Sequence, residues 1–293
     1  MIFLVLAILC SSSLSIIMKF SSKRKPNLLA MNFFIFVSAT LFSILLVIKQ
    51  VVTDPEWLPV LLSEFGQAAV TPFTFALLMG LINAVLYTVA FYVLQVSVAR
   101  NGTAMTYTFN KLGIIIPAVL SVLLFHEKPK LSQGSGVLIA FLAISLIYFK
   151  KEENSAITLK AALLGTFLLG GFSTFTSKIY QVYGAERYEN LFILFTYLFA
   201  LIISGVFMLV KDRRIKCSDV IFGLMAGIPS QLVTLLVLLA LTSIPAFVVF
   251  PLNSAGAILV INIINLIFFK EKLTIRQFIA IGLIISAIIL MNI

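Results

Sequence analysis

Apolar runs of about 20 residues recur along the whole chain, and each is long enough to cross the hydrocarbon core of a bilayer as a helix. The composition agrees, because 61% of the 293 residues are hydrophobic and only 11% are charged. Soluble domains carry about 25% charged residues. Runs such as residues 280–290 are apolar on every face, which favours helices over an alternating β-barrel pattern. The sequence therefore predicts an all-α polytopic membrane protein.

Ten transmembrane helices are predicted. The expected spans are residues 2–18, 28–48, 72–98, 103–125, 131–149, 159–180 and 191–210, two spans within 220–269 that separate at 243–245, and 273–293. The longest connection, residues 49–71, contains Trp57 followed by an apolar segment, 58–65. Tryptophan suits the membrane interface, so this segment is expected to form a short helix in the headgroup layer.

A repeat divides the chain into two halves. Residues 125–128, Phe-His-Glu-Lys, lie over residues 269–272, Phe-Lys-Glu-Lys, and Leu131 then falls on Ile275 without a gap. Each half, 1–149 and 159–293, holds five spans, and the polar segment 150–158 links them. Since five is odd, the second half must enter the membrane from the opposite side. This 5+5 inverted repeat is the pattern of secondary transporters, whose sites lie near mid-membrane.

The repeat motifs resemble the drug/metabolite transporter superfamily, in its EamA-domain branch. The resemblance rests on Pro117-Ala118-Val119, the 125–128 turn with Leu131-Ser132-Gln133, Gly134 and Gly136, and in the second half residues 269–274 and Gly282. It implies an exporter or exchanger of small metabolites with a central cavity lined by spans 1, 3, 4, 6, 8 and 9. The chain departs from the family at Ser11-Ser12-Ser13, where a Trp-Gly pair is frequent.

The charged residues exclude several functions. The net charge of +10 comes from short basic clusters beside apolar spans, which indicates contact with lipid headgroups and not with nucleic acid. Cys10 and Cys217 make neither a disulfide framework nor a metal pair. No carboxylate lies within a predicted span, which argues against a proton-coupled exporter of cations and against a metal-dependent membrane enzyme. The only histidine, His126, is expected to be a solvated turn residue, and no cofactor is expected.

Lys111 is the main functional candidate, because it lies about 13 Å along the axis of the fourth span. A cation at that depth costs at least about 2.5–3.5 kcal/mol on insertion scales, so such residues usually face a cavity or a partner. In a cavity, an anionic or carboxylate-bearing substrate would be its counter-charge. Two alternatives remain open: the side chain snorkels to the interface, or the amine is neutral and carries protons.

Other polar residues accompany Lys111. Lys19 and Lys178 hold equivalent positions in spans 1 and 6, where they either snorkel or gate the two mouths of the cavity. Amide and hydroxyl groups in hydrocarbon need hydrogen bonds and so face inward, either lining a cavity or joining helices. This candidate set consists of Asn83, Tyr87, Tyr107, Asn110, Gln231, Asn253 and Ser254.

Two lines of evidence on orientation disagree. The odd-numbered loops carry fifteen lysines and arginines and the even-numbered loops carry four, which puts both termini outside by the positive-inside rule. The family resemblance implies termini in the cytoplasm.

The preferred interpretation is a secondary transporter in the plasma or inner membrane, for which a monomer is sufficient. It is expected to move a small polar solute by alternating access. The alternatives are a flippase of a lipid-linked sugar or lipid, and more remotely an intramembrane enzyme or a receptor.

Overall fold

The computed structural model describes residues 1–22, 24, 26–64, 71–101, 103–148, 160–267 and 274–292. Within these residues the chain is helical, with twelve α-helices and one 3-10 turn at Glu186–Tyr188. The helices are α1 (Ile2–Ser22), α2 (Leu28–Thr53), α3 (Trp57–Glu64), α4 (Pro72–Asn101), α5 (Thr103–Leu112), α6 (Ile115–Leu124), α7 (Leu131–Tyr148), α8 (Lys160–Tyr183), α9 (Glu189–Lys211), α10 (Cys217–Leu241), α11 (Ala246–Ile267) and α12 (Ile275–Asn292).

Six segments of the described chain are long and apolar enough to cross a membrane. They are Ile2–Ser21, Leu28–Thr53, Pro72–Ser97, Glu186–Lys211, Cys217–Leu241 and Ala246–Ile264. Three shorter apolar helices are Phe109–Leu124, Leu131–Leu146 and Ile275–Met291. In helix α8, six of the eight residues 170–177 are Gly, Ser or Thr, which lowers its hydropathy. The all-helical membrane fold is confirmed, and the count of ten spans stays a prediction.

The chain forms two compact units that each draw on both halves of the sequence. Unit 1 contains Met1–Ser15, Val89–Lys178 and Leu236–Ile293, and unit 2 contains Ile16–Thr88 and Ile179–Leu235. In unit 1, α7 packs along α12 and α11 packs on α6, α7 and α12. In unit 2, α2 packs along α9. The predicted linker, 150–158, and the second copy of the repeated turn, 269–272, lie outside the described residues.

Unit 2 holds the short helix that the sequence places between spans 2 and 3. Helix α3 forms as expected, and Trp57 at its start is only 1% exposed, so its indole is covered by protein. Its indole Nε1 donates to the Arg187 carbonyl at 3.0 Å, and its ring lies edge-on to Tyr188. Arg187 in turn pairs with Asp54 at 3.0 Å. The start of α3 is therefore held by contacts with other residues of unit 2, and the Trp57 indole is buried inside that unit.

Candidate functional site

The fourth predicted span is a broken helix, and Lys111 lies in its last turn before the break. Helix α5 ends at Leu112 and α6 begins at Ile115. Pro117 explains the interruption, because proline has no N–H and its ring clashes with the carbonyl four residues back, that of Gly113. That carbonyl accepts instead from the Ile116 N–H, three residues on, at 3.0 Å. Discontinuous helices of this kind recur at transporter sites.

The break between α5 and α6 packs closely against α8, and both sides of this contact belong to unit 1. A Cβ at Gly113 would lie 2.6 Å from the Phe167 carbonyl oxygen, and a Cβ at Gly171 would lie 2.5 Å from the Gly113 carbonyl oxygen. Both distances are below any real Cβ contact, so only glycine permits this approach of two backbones. The two glycines therefore hold the interrupted helix against α8.

Lys111 is half-buried at the carboxyl end of α5. In the part of the chain that the structure describes, its ammonium has no hydrogen bond and no ion pair. The carboxyl end of a helix carries partial negative charge, which favours a cation there but does not neutralise it. When Lys111 is protonated, its charge is therefore balanced by no protein carboxylate among the described residues.

The neighbours of Lys111 in the candidate set are only partly described. Asn110 is half-buried, and its amide nitrogen lies 3.1 Å from where a Cβ of Gly170 would be, so it faces α8. Tyr107 belongs to α5, but its side chain lies outside the described residues. Asn110 and Lys111 thus share the end of α5, next to the glycine contact.

Asn253 and Ser254 lie in α11, also in unit 1. The Ser11 hydroxyl donates to the Asn253 side-chain oxygen at 3.3 Å, and Ser254 is 7% exposed. One turn further along α11, Gly256 touches Ile8 of α1 so closely that a Cβ would overlap that side chain. Asn253 therefore accepts a hydrogen bond that links α11 to α1.

Lys178 is a paired lysine. Its Nζ lies 2.9 Å from Glu127 Oε1, with side-chain exposures of 7% and 12%, and 5.5 Å from the centre of the Phe125 ring. The same carboxylate accepts from the backbone N–H groups of Ala246 at 3.1 Å and Phe247 at 3.3 Å. Glu127 thus joins α8 to the amino-terminal end of α11, where a negative charge is favourable. The sequence places this glutamate in a charged turn outside the predicted spans and does not reveal these partners.

The environment of Glu127 stabilises its charged form. Burial raises the pKa of this carboxyl, but the hydrogen bond and charge of Lys178 and the two backbone N–H donors outweigh burial, and its pKa is lowered. The turn reaches this geometry through His126, an exposed residue with a positive φ of 54°. His126 is solvated as expected, and its backbone directs Glu127 inward.

The remaining candidates belong to unit 2. Asn83 is 5% exposed and Gln231 is 0% exposed, while Tyr87 is half-buried with its ring 5.7 Å from that of Phe36. Lys19 is half-buried in the last turn of α1. Tyr197, which the sequence reasoning missed, bonds to Ser230 and Thr234 of α10. Its only sequence signal is a hydroxyl inside an apolar span.

Metal-ligating side chains do not cluster in the described part of the chain, since no three His, Cys, Asp or Glu residues lie together there. Among the described residues of unit 1, the candidates thus include one lysine without a carboxylate partner, two amides and a hydroxyl. Side chains of these kinds form neutral and charge-assisted hydrogen bonds with polar or anionic groups.

Comparison with known proteins identifies the family of the chain. The model of the EamA-like transporter family matches residues 1–149. A Haemophilus influenzae protein described as uncharacterized is 24% identical over 291 residues, covering 97% of this chain and 95% of that protein. A crystal structure aligns with a TM-score of 0.69 at 12% identity, covering 99% of this chain and 94% of the other, which shows a shared fold. The chain belongs to the EamA-like transporter family, and it is an integral membrane protein of the drug/metabolite transporter type.

Proposed function

We propose that this chain is a secondary transporter of a small polar, anionic or carboxylate-bearing metabolite. The single observation that carries the substrate class is Lys111, a half-buried ammonium at a helix break that has no balancing partner among the described residues. An ion held at this depth is stable only beside a counter-charge or in a hydrated site. A substrate anion supplies that counter-charge when it binds and removes it when it leaves.

The proposed mechanism is alternating access between two inverted five-span halves, 1–149 and 159–293. Helix packing supports it, because helices at equivalent positions of the repeat pack on each other. These pairs are α2 with α9, α6 with α11 and α7 with α12. Self-packing of equivalent elements is expected where two halves are related by a twofold axis. The proposal places the protein in the plasma or inner membrane and needs only a monomer.

The test is solute counterflow into liposomes that contain the purified protein. Labelled succinate, glucose 6-phosphate, uridine and choline would be compared for the wild type, Lys111→Met and Lys128→Met. Lys128 is exposed in the 125–130 turn and loses the same charge, so it is the matched control. The wild type and Lys128→Met are expected to accumulate at least one of the two anions.

Lys111→Met should lose about 2–5 kcal/mol of affinity for that anion, because a buried counter-charge is removed. Accumulation of uridine or choline alone would contradict the substrate class. Equal anion transport by Lys111→Met would contradict the role of the lysine.

A further inference from the structure

Unit 2 contains a buried group of polar side chains. The Tyr197 hydroxyl lies 2.9 Å from the Ser230 carbonyl oxygen and 2.9 Å from the Thr234 hydroxyl. The Phe36 ring is 6.3 Å from that of Tyr197 and 5.7 Å from that of Tyr87, so it lies beside both tyrosines. The hydroxyls of this group satisfy one another.

Gln231, the residue after Ser230, is different. Its side chain is 0% exposed, and neither its amide oxygen nor its amide nitrogen has a hydrogen-bond partner. A buried polar atom without a partner costs about 1–3 kcal/mol, and native proteins keep few of them. A binding group without its ligand is expected to look like this, with an amide nitrogen that donates no hydrogen bond and an amide oxygen that accepts none.

Gln231 is not needed to hold α10 against its neighbouring helix α2. Gly223 and Gly227 come two turns and one turn earlier in the same row of the helix, and both touch the α2 backbone near Met31 and Ile35. Glycine alone brings those backbones together, so α10 and α2 associate without the amide. Gln231 therefore continues this row of α10 as a large polar side chain that the contact with α2 does not require.

The chemistry of the group points to an uncharged part of the ligand. From residue 220 to residue 235, which is most of the α10 segment in unit 2, the sequence has no charged side chain. A carboxamide is satisfied in full by a partner that presents a donor and an acceptor side by side. Carboxamides and the edges of heterocyclic bases have that arrangement.

We propose that Gln231 is the specificity residue of a hydrogen-bonding site in unit 2 that takes an uncharged solute group with adjacent donor and acceptor atoms, a carboxamide or its equivalent. Ser230, Thr234 and the tyrosine hydroxyls form the polar wall beside it. The inference rests on the proposed function in that the solute is the transported one, but it needs no charge and no contribution from Lys111.

The first experiment measures the unfolding midpoint of Gln231→Leu in detergent beside Tyr197→Phe. Gln231→Leu removes two unsatisfied atoms and should leave the midpoint unchanged or raise it by about 2–4 °C. Tyr197→Phe removes a satisfied hydroxyl and should lower it. A fall for Gln231→Leu as large as that for Tyr197→Phe would overturn the proposal, because the amide would then have a structural partner.

The second experiment measures access and ligand class. Gln231→Cys, made with Cys10→Ser and Cys217→Ser, should react with the small thiol reagent MTSEA. Succinamate should slow the reaction several-fold more than butyrate, because these monoanions share a chain length and a carboxylate and differ by one carboxamide. No reaction, or equal protection by the two acids, would overturn the proposed site. Anion counterflow that is lost in Lys111→Met would still support the anion proposal whatever the protection result, so the two failures are distinguishable.

Discussion

Lys111 and Lys178 both lie inside helices of unit 1, yet of these two only Lys178 has a carboxylate partner among the described residues. Lys178 pairs with Glu127 at 2.9 Å, and that carboxylate also receives two backbone N–H groups at the start of α11. Lys111, at a helix break, has no charged partner in the described part of the chain. The first lysine has an internal counter-charge. The second has none among the described residues, and in the proposed function a substrate anion supplies it.

Breaking the paired lysine should have the largest effect on stability. Glu127→Gln leaves the Lys178 ammonium nearly buried without a counter-charge, and we expect a loss of about 3–5 kcal/mol in the free energy of unfolding. Thermal unfolding in detergent measures it. The matched control is Asp212→Asn, which breaks an exposed pair with Arg214 and should change stability by less than about 1 kcal/mol. Equal effects of the two variants would remove the distinction between the lysines.

Removing the unpaired lysine should act in the opposite direction on stability. Lys111→Met eliminates a half-buried charge and keeps the volume of the stem, so the free energy of unfolding should stay constant or rise by about 1–3 kcal/mol. The same unfolding assay applies. A fall comparable with that of Glu127→Gln would mean that Lys111 has an internal partner and is structural as well.

The helix break that positions Lys111 should depend on its glycines. Gly113→Ala and Gly171→Ala place a methyl group against backbone oxygen at 2.6 and 2.5 Å, so each should cost about 1–3 kcal/mol by overpacking. Gly134, which lies in α7, is the control, because nothing lies within 4 Å of the position that a methyl group would take there. Gly134→Ala should be neutral or stabilising by up to about 1 kcal/mol. Calorimetry of the three variants tests whether the backbones of the helix break and of α8 approach each other this closely.

Acid should weaken the ion pair of Lys178 with Glu127 and leave Lys111 unaffected. This is the smallest expected effect. The pKa of Glu127 is lowered in the folded protein, so its contribution is fully present above the unfolded value of about 4.3 and is lost as pH falls through the folded value. Between pH 7 and pH 3 the wild type should therefore lose more stability than Glu127→Gln. Parallel pH profiles for the two proteins would contradict the role of the carboxylate.

The position of Lys111 is predictable from sequence, and the position of Glu127 is not. A lysine amid apolar residues stands out in any window of the fourth span, and Pro117 beyond it signals an irregular helix. The partners of Glu127 are Lys178, Ala246 and Phe247, which lie about 50 to 120 residues away. A turn that contains His, Glu and Lys looks solvated unless those distant partners are known.

Trp57 illustrates the same limit. A tryptophan before a short apolar segment in a long loop is typical of the membrane interface, and the helix it begins does form. Its hydrogen-bond acceptor is the carbonyl of Arg187, 130 residues away. Local pattern therefore predicts the element, while tertiary contacts decide which environment its side chain enters. The sequence predicts that Gln231 either lines a cavity or joins helices, and its lack of hydrogen-bond partners is visible only in three dimensions.

The most direct test of the central claim is ligand-dependent thermal stability of the wild type and Lys111→Met. A panel of organic acids, sugar phosphates, nucleosides, amino acids and quaternary amines would be screened in detergent. A compound at 100 times its dissociation constant stabilises by about 2.7 kcal/mol. Stabilisation of the wild type by anions that is absent in Lys111→Met is the predicted result. Stabilisation of both proteins by the same anions, or of the wild type by neutral or cationic solutes only, would contradict the account.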